Sequence, residues 1–319
     1  AQTAAVTDLN ANSADVNETV TYTKVGSLVP SSSDGNFPGA PKVVYPNDPS
    51  DATKVTPAGV PTVPGYTAHD PEGKVLTPGS SYQPSDPTKD TAITYTADKQ
   101  NGSVSYVDDT TGKTLKTDSI SGTTGSKSSY STSGSIADYK KQGYELVTDG
   151  YPADLKFDND DTTDQNFTVH LKHRLTPVNP TAPQTPGTPI NPDEPDGPKW
   201  PTSTNYDKTV NETISYVDQN GQLVAKQHTD SVNFTRTVVV DNVTGEVITS
   251  GAGTTAWTAT NGDTTFDAVV SPVVPGSVAD KAQIDKQTVN VDSKDLEFTV
   301  TYTKNAPTMT VNPSQPTTP

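Results

Sequence analysis

The chain contains no cysteine. This excludes a disulfide-stapled scaffold, the usual build of small secreted animal modules, and leaves no thiol for catalysis or metal binding. Apolar residues are scarce, at 30%, and aromatic residues scarcer, at 7%. With 319 residues to fold, several small, thin cores fit better than one large one. Cations are few as well: 22 Lys and Arg stand against 38 Asp and Glu, a net charge of −16. Such a surface repels phosphate backbones and anionic lipid, so nucleic acid is excluded as a partner. No apolar run reaches the roughly 18 residues of a membrane span, so no membrane insertion is expected.

What the chain does contain is threonine, 52 residues of it, and 28 prolines. Threonine is β-branched and suits half-exposed strands, so a mainly β chain with short helices is expected. A cysteine-free, Thr-rich, Pro-linked composition resembles that of Gram-positive surface proteins, by analogy of composition alone. The first residue is Ala1 and the last stretch is polar Pro-Thr sequence, so the chain is expected to be a segment of something longer.

Internal repetition organises the chain. Asp15 to Lys24 is DVNETVTYTK and Asp295 to Lys304 is DLEFTVTYTK, with seven of ten positions identical. Residues 1–24 are therefore expected to be the final strand of a preceding repeat. Ile93 to Thr96 and Phe167 to Leu171 alternate apolar and polar in the same way, the period of a half-buried strand. Three modules follow, expected at 25–97, 98–173 and 205–304.

The module at 25–97 holds twelve prolines and is expected to be a small, loop-rich β unit. In the central module, Ser103 to Val107 and Thr114 to Ile120 form a hairpin around the turn Asp108 to Gly112. Ser135 and Asp138 predict a capping box that opens a short helix, stopped by Gly143. Strands at Tyr144 to Thr148 and Phe167 to Leu171 complete a ββαββ order, that of a β-grasp (ubiquitin-like) fold. The third module predicts strands at Glu212 to Val217, Thr235 to Val240, Glu246 to Thr249 and Glu297 to Thr303, and a short helix at Val278 to Ile284. Between modules two and three, nine prolines from Pro177 to Pro201 fall at every third residue. That is the period of a polyproline II helix, so 174–204 is expected to be a semi-rigid spacer about 75 Å long. Residues 305–319 repeat the period as a Pro/Thr-rich linker. The modules are thus expected as an elongated array.

These residues resemble a known family. Val104 to Leu115, Tyr139 to Tyr144 and Gln165 to Val169 are similar to the mucin-binding (MucBP) repeat domains of lactobacillus cell-surface proteins. Ile214 to Asp218, Val238 to Asp241 and Phe298 to Tyr302 are similar to the larger companion domain. Tyr45 to Pro49 and Val63 to Thr67 resemble a Pro-rich companion unit. The resemblance implies tandem β-grasp modules of a monomeric, extracellular, cell-wall-anchored adhesin that binds host mucin glycans. A structural stalk displaying a distal tip, or an immunoglobulin-binding module using exposed strand edges, are the other two functions such repeats serve.

Chemistry in the chain is sparse. Of the four histidines, His170 and His173 sit three apart on a strand and face opposite sides, a poor pair for catalysis or metal binding, and no enzyme activity or cofactor is expected. One acidic loop, Asp158 to Asp164, places oxygen side chains at Asp158, Asp160, Thr162 and Asp164 with the alternation of a calcium loop's first half. It lacks the glycine and the distal Glu of an EF-hand. Sugar rings stack on aromatic faces, which makes Tyr130, Tyr139, Tyr144, Tyr151 and Trp257 the candidate glycan contacts. An acidic protein meeting acidic mucin would be repelled, so neutral sugars or bridging cations would have to carry the contact.

Overall fold

A computed structural model of the chain describes residues 3–306. The Pro/Thr-rich linker expected at 305–319 lies, beyond Ala306, outside the described residues. The fold is mainly β, with short helices and several small sheets. Contacts divide it into two units: Ala1–Ala137 with Leu146–Lys172, and Asp138–Glu145 with His173–Pro319.

The first unit begins without the strand expected of its repeat motif. Val20 to Lys24 carries no strand, and Tyr22 is 79% exposed. The same letters at the other end of the chain are a strand because a neighbouring strand accepts and donates their hydrogen bonds. Seven strands follow: β1 (Ser27–Ser31), β2 (Val43–Val44), β3 (Ala58–Gly59), β4 (Tyr66–His69), β5 (Val75–Leu76), β6 (Ser81–Tyr82) and β7 (Thr91–Ala97). Five form a sheet in the order β2-β1-β7-β4-β5, and β3 pairs with β6. Alternation along β7 turns Ile93 and Tyr95 into the core beside Leu28 and Tyr45. Of the twelve prolines only Pro30 enters a strand. It faces no partner in β2, which reaches only Ser27 and Leu28, so its missing N–H breaks no bond there.

Next come β8 (Lys99–Asp108), β9 (Lys113–Thr123), α1 (Ser133–Lys141), β10 (Tyr144–Asp149) and β11 (Gln165–His173). Their sheet runs β10-β11-β8-β9. At the β8–β9 turn Gly112 takes φ +75°, and Asp108 Oδ1 accepts the Thr110 N–H at 2.9 Å. Val104, Tyr106, Val169 and Leu171 are fully buried. The helix opens two residues before the expected capping box. The Ile136 N–H donates to Thr132 O at 3.0 Å, so Thr132 stands at the N-cap, and Ser135 Oγ instead accepts from Lys116 Nζ at 2.6 Å.

The second unit overturns the spacer expected at 174–204. β12 (Leu175–Val178) pairs antiparallel with β15 (Val238–Asp241), which pairs in turn with β16 (Val247–Ile248). Pro177 is tolerated because β12 is an edge strand. Val178 is fully buried, and Ile190 and Trp200 pack on the same cluster as Tyr206 and Val238. Apolar side chains between the prolines give the segment something to bury, and that outweighs the polyproline preference. A long hairpin of β13 (Asp207–Asp218) and β14 (Leu223–Thr235) is joined by short strands: β17 (Thr258–Ala259), β18 (Thr265–Phe266), β19 (Val269–Val270), β20 (Ser277–Ala279), β21 (Gln283–Ile284), β22 (Gln287–Thr288) and β23 (Leu296–Lys304). The main sheet runs β17-β14-β13-β23-β20. The helix expected over Val278 to Ile284 is two strands instead: Val278 pairs with Thr303, and Ile284 with Val269.

One rule closes all three modules. The first long strand runs parallel to the last: β1 beside β7, β8 beside β11, β13 beside β23. A parallel pair needs a crossover rather than a tight turn, so the variable chain of each module is confined between its two central strands.

Candidate functional site

The aromatic candidates fall into separate places. Tyr130 and Tyr151 meet edge to face, with ring centroids 5.4 Å apart, and Tyr151 meets Phe167 at 5.5 Å. Their hydroxyls are already used. Tyr130 Oη donates to Asp118 at 2.7 Å and bonds Tyr106 Oη at 2.5 Å, and Tyr151 Oη donates to Ser128 Oγ at 2.6 Å. Burial, then the Tyr106 and Asp118 partners, push the Tyr130 phenol well above its ordinary range. Tyr139 and Tyr144 form a second edge-to-face pair at 5.5 Å. Tyr144 is buried and packs on the His173 ring at 5.3 Å, while Tyr139 stays half-exposed. Trp257 is half-buried against a small core, with the Arg236 guanidinium 4.4 Å and the Lys208 ammonium 5.4 Å from its ring centroid. That is a cation–π arrangement within the fold.

The acidic loop uses its carboxylates on itself. Asp158 Oδ1 accepts the Asp160 N–H at 3.1 Å, and Asp160 Oδ1 accepts both the N–H and the hydroxyl of Thr162. These are Asx turns, and the Thr162 bonds hold the Asp160 carboxyl below its usual range. Among the described residues, no three acidic or histidine side chains gather as a metal group.

Each histidine answers to a local partner. His173 Nδ1 meets Asp241 Oδ2 at 2.6 Å in the interior, and His170 Nδ1 meets Asp109 at 2.8 Å. His69 Nε2 lies 2.9 Å from Thr96 Oγ1, but its Nδ1 faces the Gly73 carbonyl rather than a carboxylate. The pair is a cross-strand hydrogen bond without the third member a nucleophile requires. His228 Nε2 is 3.9 Å from Glu212 Oε1.

A feature not anticipated from the sequence is a basic groove in the second unit. Lys140 and Lys141 at the end of α1, with Arg174, Asn191 and Asn242, line a shallow cavity of about 180 Å³. Gly143 makes it possible. Its φ is +99°, and a Cβ there would lie 2.5 Å from the Asn242 carbonyl oxygen, so only glycine lets the helix end approach so closely. Asn191 Oδ1 accepts the Asp193 N–H at 3.1 Å. That fixes the amide's orientation and leaves Nδ2 buried without an acceptor among the described residues. In a chain so poor in cations, a Lys-Lys pair two residues before a helix-stopping glycine is the one sequence signal that pointed here.

The fold defines a mainly β chain of modules, each closed by parallel first and last strands. Comparison with known proteins gives the family. The mucin binding domain family matches residues 100–173, and the Muc B2-like domain family matches 201–306. The solved structure of Mub-RV is 36% identical over 65% of this chain and 100% of its own, with a TM-score of 0.50. A type 2 repeat of the mucus binding protein MUB from Lactobacillus reuteri is 33% identical over the same shares, with a TM-score of 0.44. The MucBP domain of an adhesion protein from Pediococcus pentosaceus is 37% identical over 31% of this chain and 100% of its own, with a TM-score of 0.27. No curated protein matches. The chain belongs to the family of MucBP-type mucin-binding repeat proteins.

Proposed function

We propose that the chain is an extracellular, cell-wall-associated adhesin segment that attaches bacteria to host mucus by binding mucin glycans. The observation that carries this is the 36% identity to Mub-RV across that protein's entire length. The finer fold reading, that the central module is a β-grasp, rests on its ββαββ order with β11 parallel to β8.

The basic groove bears on how a protein of charge −16 meets acidic mucin. Lys140, Lys141 and Arg174 concentrate positive charge on one small surface, and a carboxylate or sulfate on a sugar would pair with them locally despite the overall repulsion. Half-exposed Tyr139, one residue from Lys140, offers a ring to the attached sugar. Tyr130, Tyr144 and Tyr151 serve the fold in this reading, as does Trp257.

The test is binding of the whole chain to immobilised intact mucin, to mucin stripped of its glycans, and to immunoglobulin. Glycan binding requires a signal on intact mucin that stripping removes. Replacing Lys140, Lys141 and Arg174 together by Ala should weaken that signal at least about tenfold, the loss of one to two charge-assisted contacts. Equal binding to stripped mucin defeats the glycan reading. A signal on immunoglobulin alone transfers the function to protein binding, and silence on all three surfaces makes the segment a stalk.

A further inference from the structure

The first unit holds a second cavity, of about 240 Å³, outside the aromatic and basic features above. Its lining combines apolar Val60, Val63, Leu76 and Pro78 with the acidic residues Asp98 and Asp161. The acidic part is built rather than incidental. The side chain of Gln100, 4% exposed, donates Nε2 to Asp161 Oδ1 at 2.6 Å and to Thr124 Oγ1 at 3.1 Å. Thr124 Oγ1 donates to the Gly65 carbonyl at 2.8 Å, and the Asp98 N–H donates to that same oxygen at 2.8 Å. A Cβ on Gly65 would come within 2.7–2.8 Å of Thr124 and Asn159, so the missing side chain lets the acidic loop close against this turn. The Thr67 hydroxyl donates to Asp98.

Two carboxyls held this close cannot both stay charged without cost. Burial, and beyond it the neighbouring Asp161, raise the Asp98 carboxyl above its usual range, against the opposing Thr67 bond. Such a pair keeps a proton or takes up a cation. A calcium or magnesium ion asks for six or more oxygen ligands and gains nothing from an apolar wall. A neutral sugar leaves the charge uncompensated. Tyr66, also lining the cavity, has a buried hydroxyl with no hydrogen-bond partner among the described residues.

We propose that this cavity binds an alkylammonium group, with the ammonium between Asp98 and Asp161 and the aliphatic stem along Val63 and Leu76. Most of its lining belongs to residues 60–98, outside both family matches, so the inference stands apart from mucin binding. The strongly negative chain draws cations toward it. A lysine side chain of a protein and a free aliphatic amine present the same chemistry.

The experiment is calorimetric titration of the whole chain with n-butylammonium, ammonium, Nα-acetyl-lysine amide, galactose and calcium. We expect n-butylammonium to bind at least about tenfold more tightly than ammonium, because the stem buries several methylenes. Asp161→Asn should weaken n-butylammonium at least about tenfold through loss of the charged contact. Its melting temperature should not fall, since the amide oxygen can still accept from Gln100 Nε2 while one of two neighbouring negative charges is removed. Leu76→Ser should weaken n-butylammonium and leave ammonium unchanged. Binding of Nα-acetyl-lysine amide as well identifies a protein lysine as the ligand source, and binding of the free amine alone a small soluble amine. The proposal is overturned if n-butylammonium binds no better than ammonium, if Asp161→Asn binds as the parent does, or if galactose or calcium binds as tightly.

Discussion

Glu212 is the residue most at odds with its surroundings. It is 1% exposed, and neither carboxyl oxygen has a hydrogen-bond partner among the described residues. Burial raises its proton affinity, His228 opposes this, and Asp230 adds to it. A carboxyl whose folded value lies above its unfolded value favours the folded state at low pH. That advantage is lost as pH climbs from the unfolded value, near 4.5, through the raised folded one. Replacing the acid with the neutral amide should therefore matter only where the acid is charged. Glu212→Gln should gain about 1 kcal/mol or more at pH 7, because the amide carries no charge to desolvate, and nothing at pH 4. Urea denaturation at both values checks this, and an equal gain at both would show that the charge is not the cause. The sequence marked Glu212 only as the start of a strand, because burial depends on what covers the strand.

At the scale of elements, the boundary between local preference and packing runs through the proline-rich segment. A period-three run predicts an extended helix in isolation, yet Val178 is fully buried and β12 is hydrogen-bonded along its length. Val178→Ala should then cost roughly 2 kcal/mol in urea denaturation, the price of a cavity in a packed core. A freely extended spacer would lose nothing. The acidic loop makes the opposite case. Its spacing resembles a cation site, but Asp158 and Asp160 already accept the loop's own N–H groups. Millimolar calcium is expected to leave the melting temperature of the chain unchanged relative to chelator. A rise that disappears in an Asp160→Ala, Asp164→Ala variant would instead establish the site. Short elements were also where local sequence misled: Val278 to Ile284 carries helix-compatible residues, and its partners Thr303 and Val269 make it two strands.

For the molecule as a whole, the two units do not coincide with the modules legible in the sequence. Residues 138–145, from the central module, group with 173–319. The Arg174 N–H donates to the Gly143 carbonyl at 2.9 Å, the Asn242 N–H to the Arg174 carbonyl at 2.9 Å, and His173 is bound to Asp241 in the interior. A fragment of residues 98–173 leaves these groups unpartnered. It should be less stable than a fragment of 98–306 by at least about 1 kcal/mol, since a buried polar group that loses its hydrogen-bond partner costs about 1–3 kcal/mol. Equal unfolding free energies for residues 98–173 in the two fragments, followed by amide hydrogen exchange, would place the folding boundary at 173 after all.

The sequence by itself determined the class of fold and the kinship. Alternating Thr and apolar residues favour strands, the β8–β9 turn is spelled out by Asp108 and Gly112, and the order of short motifs carries the family resemblance. These are local properties, set by backbone sterics and side-chain period. Tertiary structure decided the rest. It made a strand of Leu296–Lys304 and not of Val20 to Lys24, whose letters nearly match, because a strand exists only where another strand completes its hydrogen bonds. It also brought Lys140 and Lys141 to Arg174, and Asp98 to Asp161. Such meetings depend on crossovers between parallel strands, and the chain between two partners does not record where it will return.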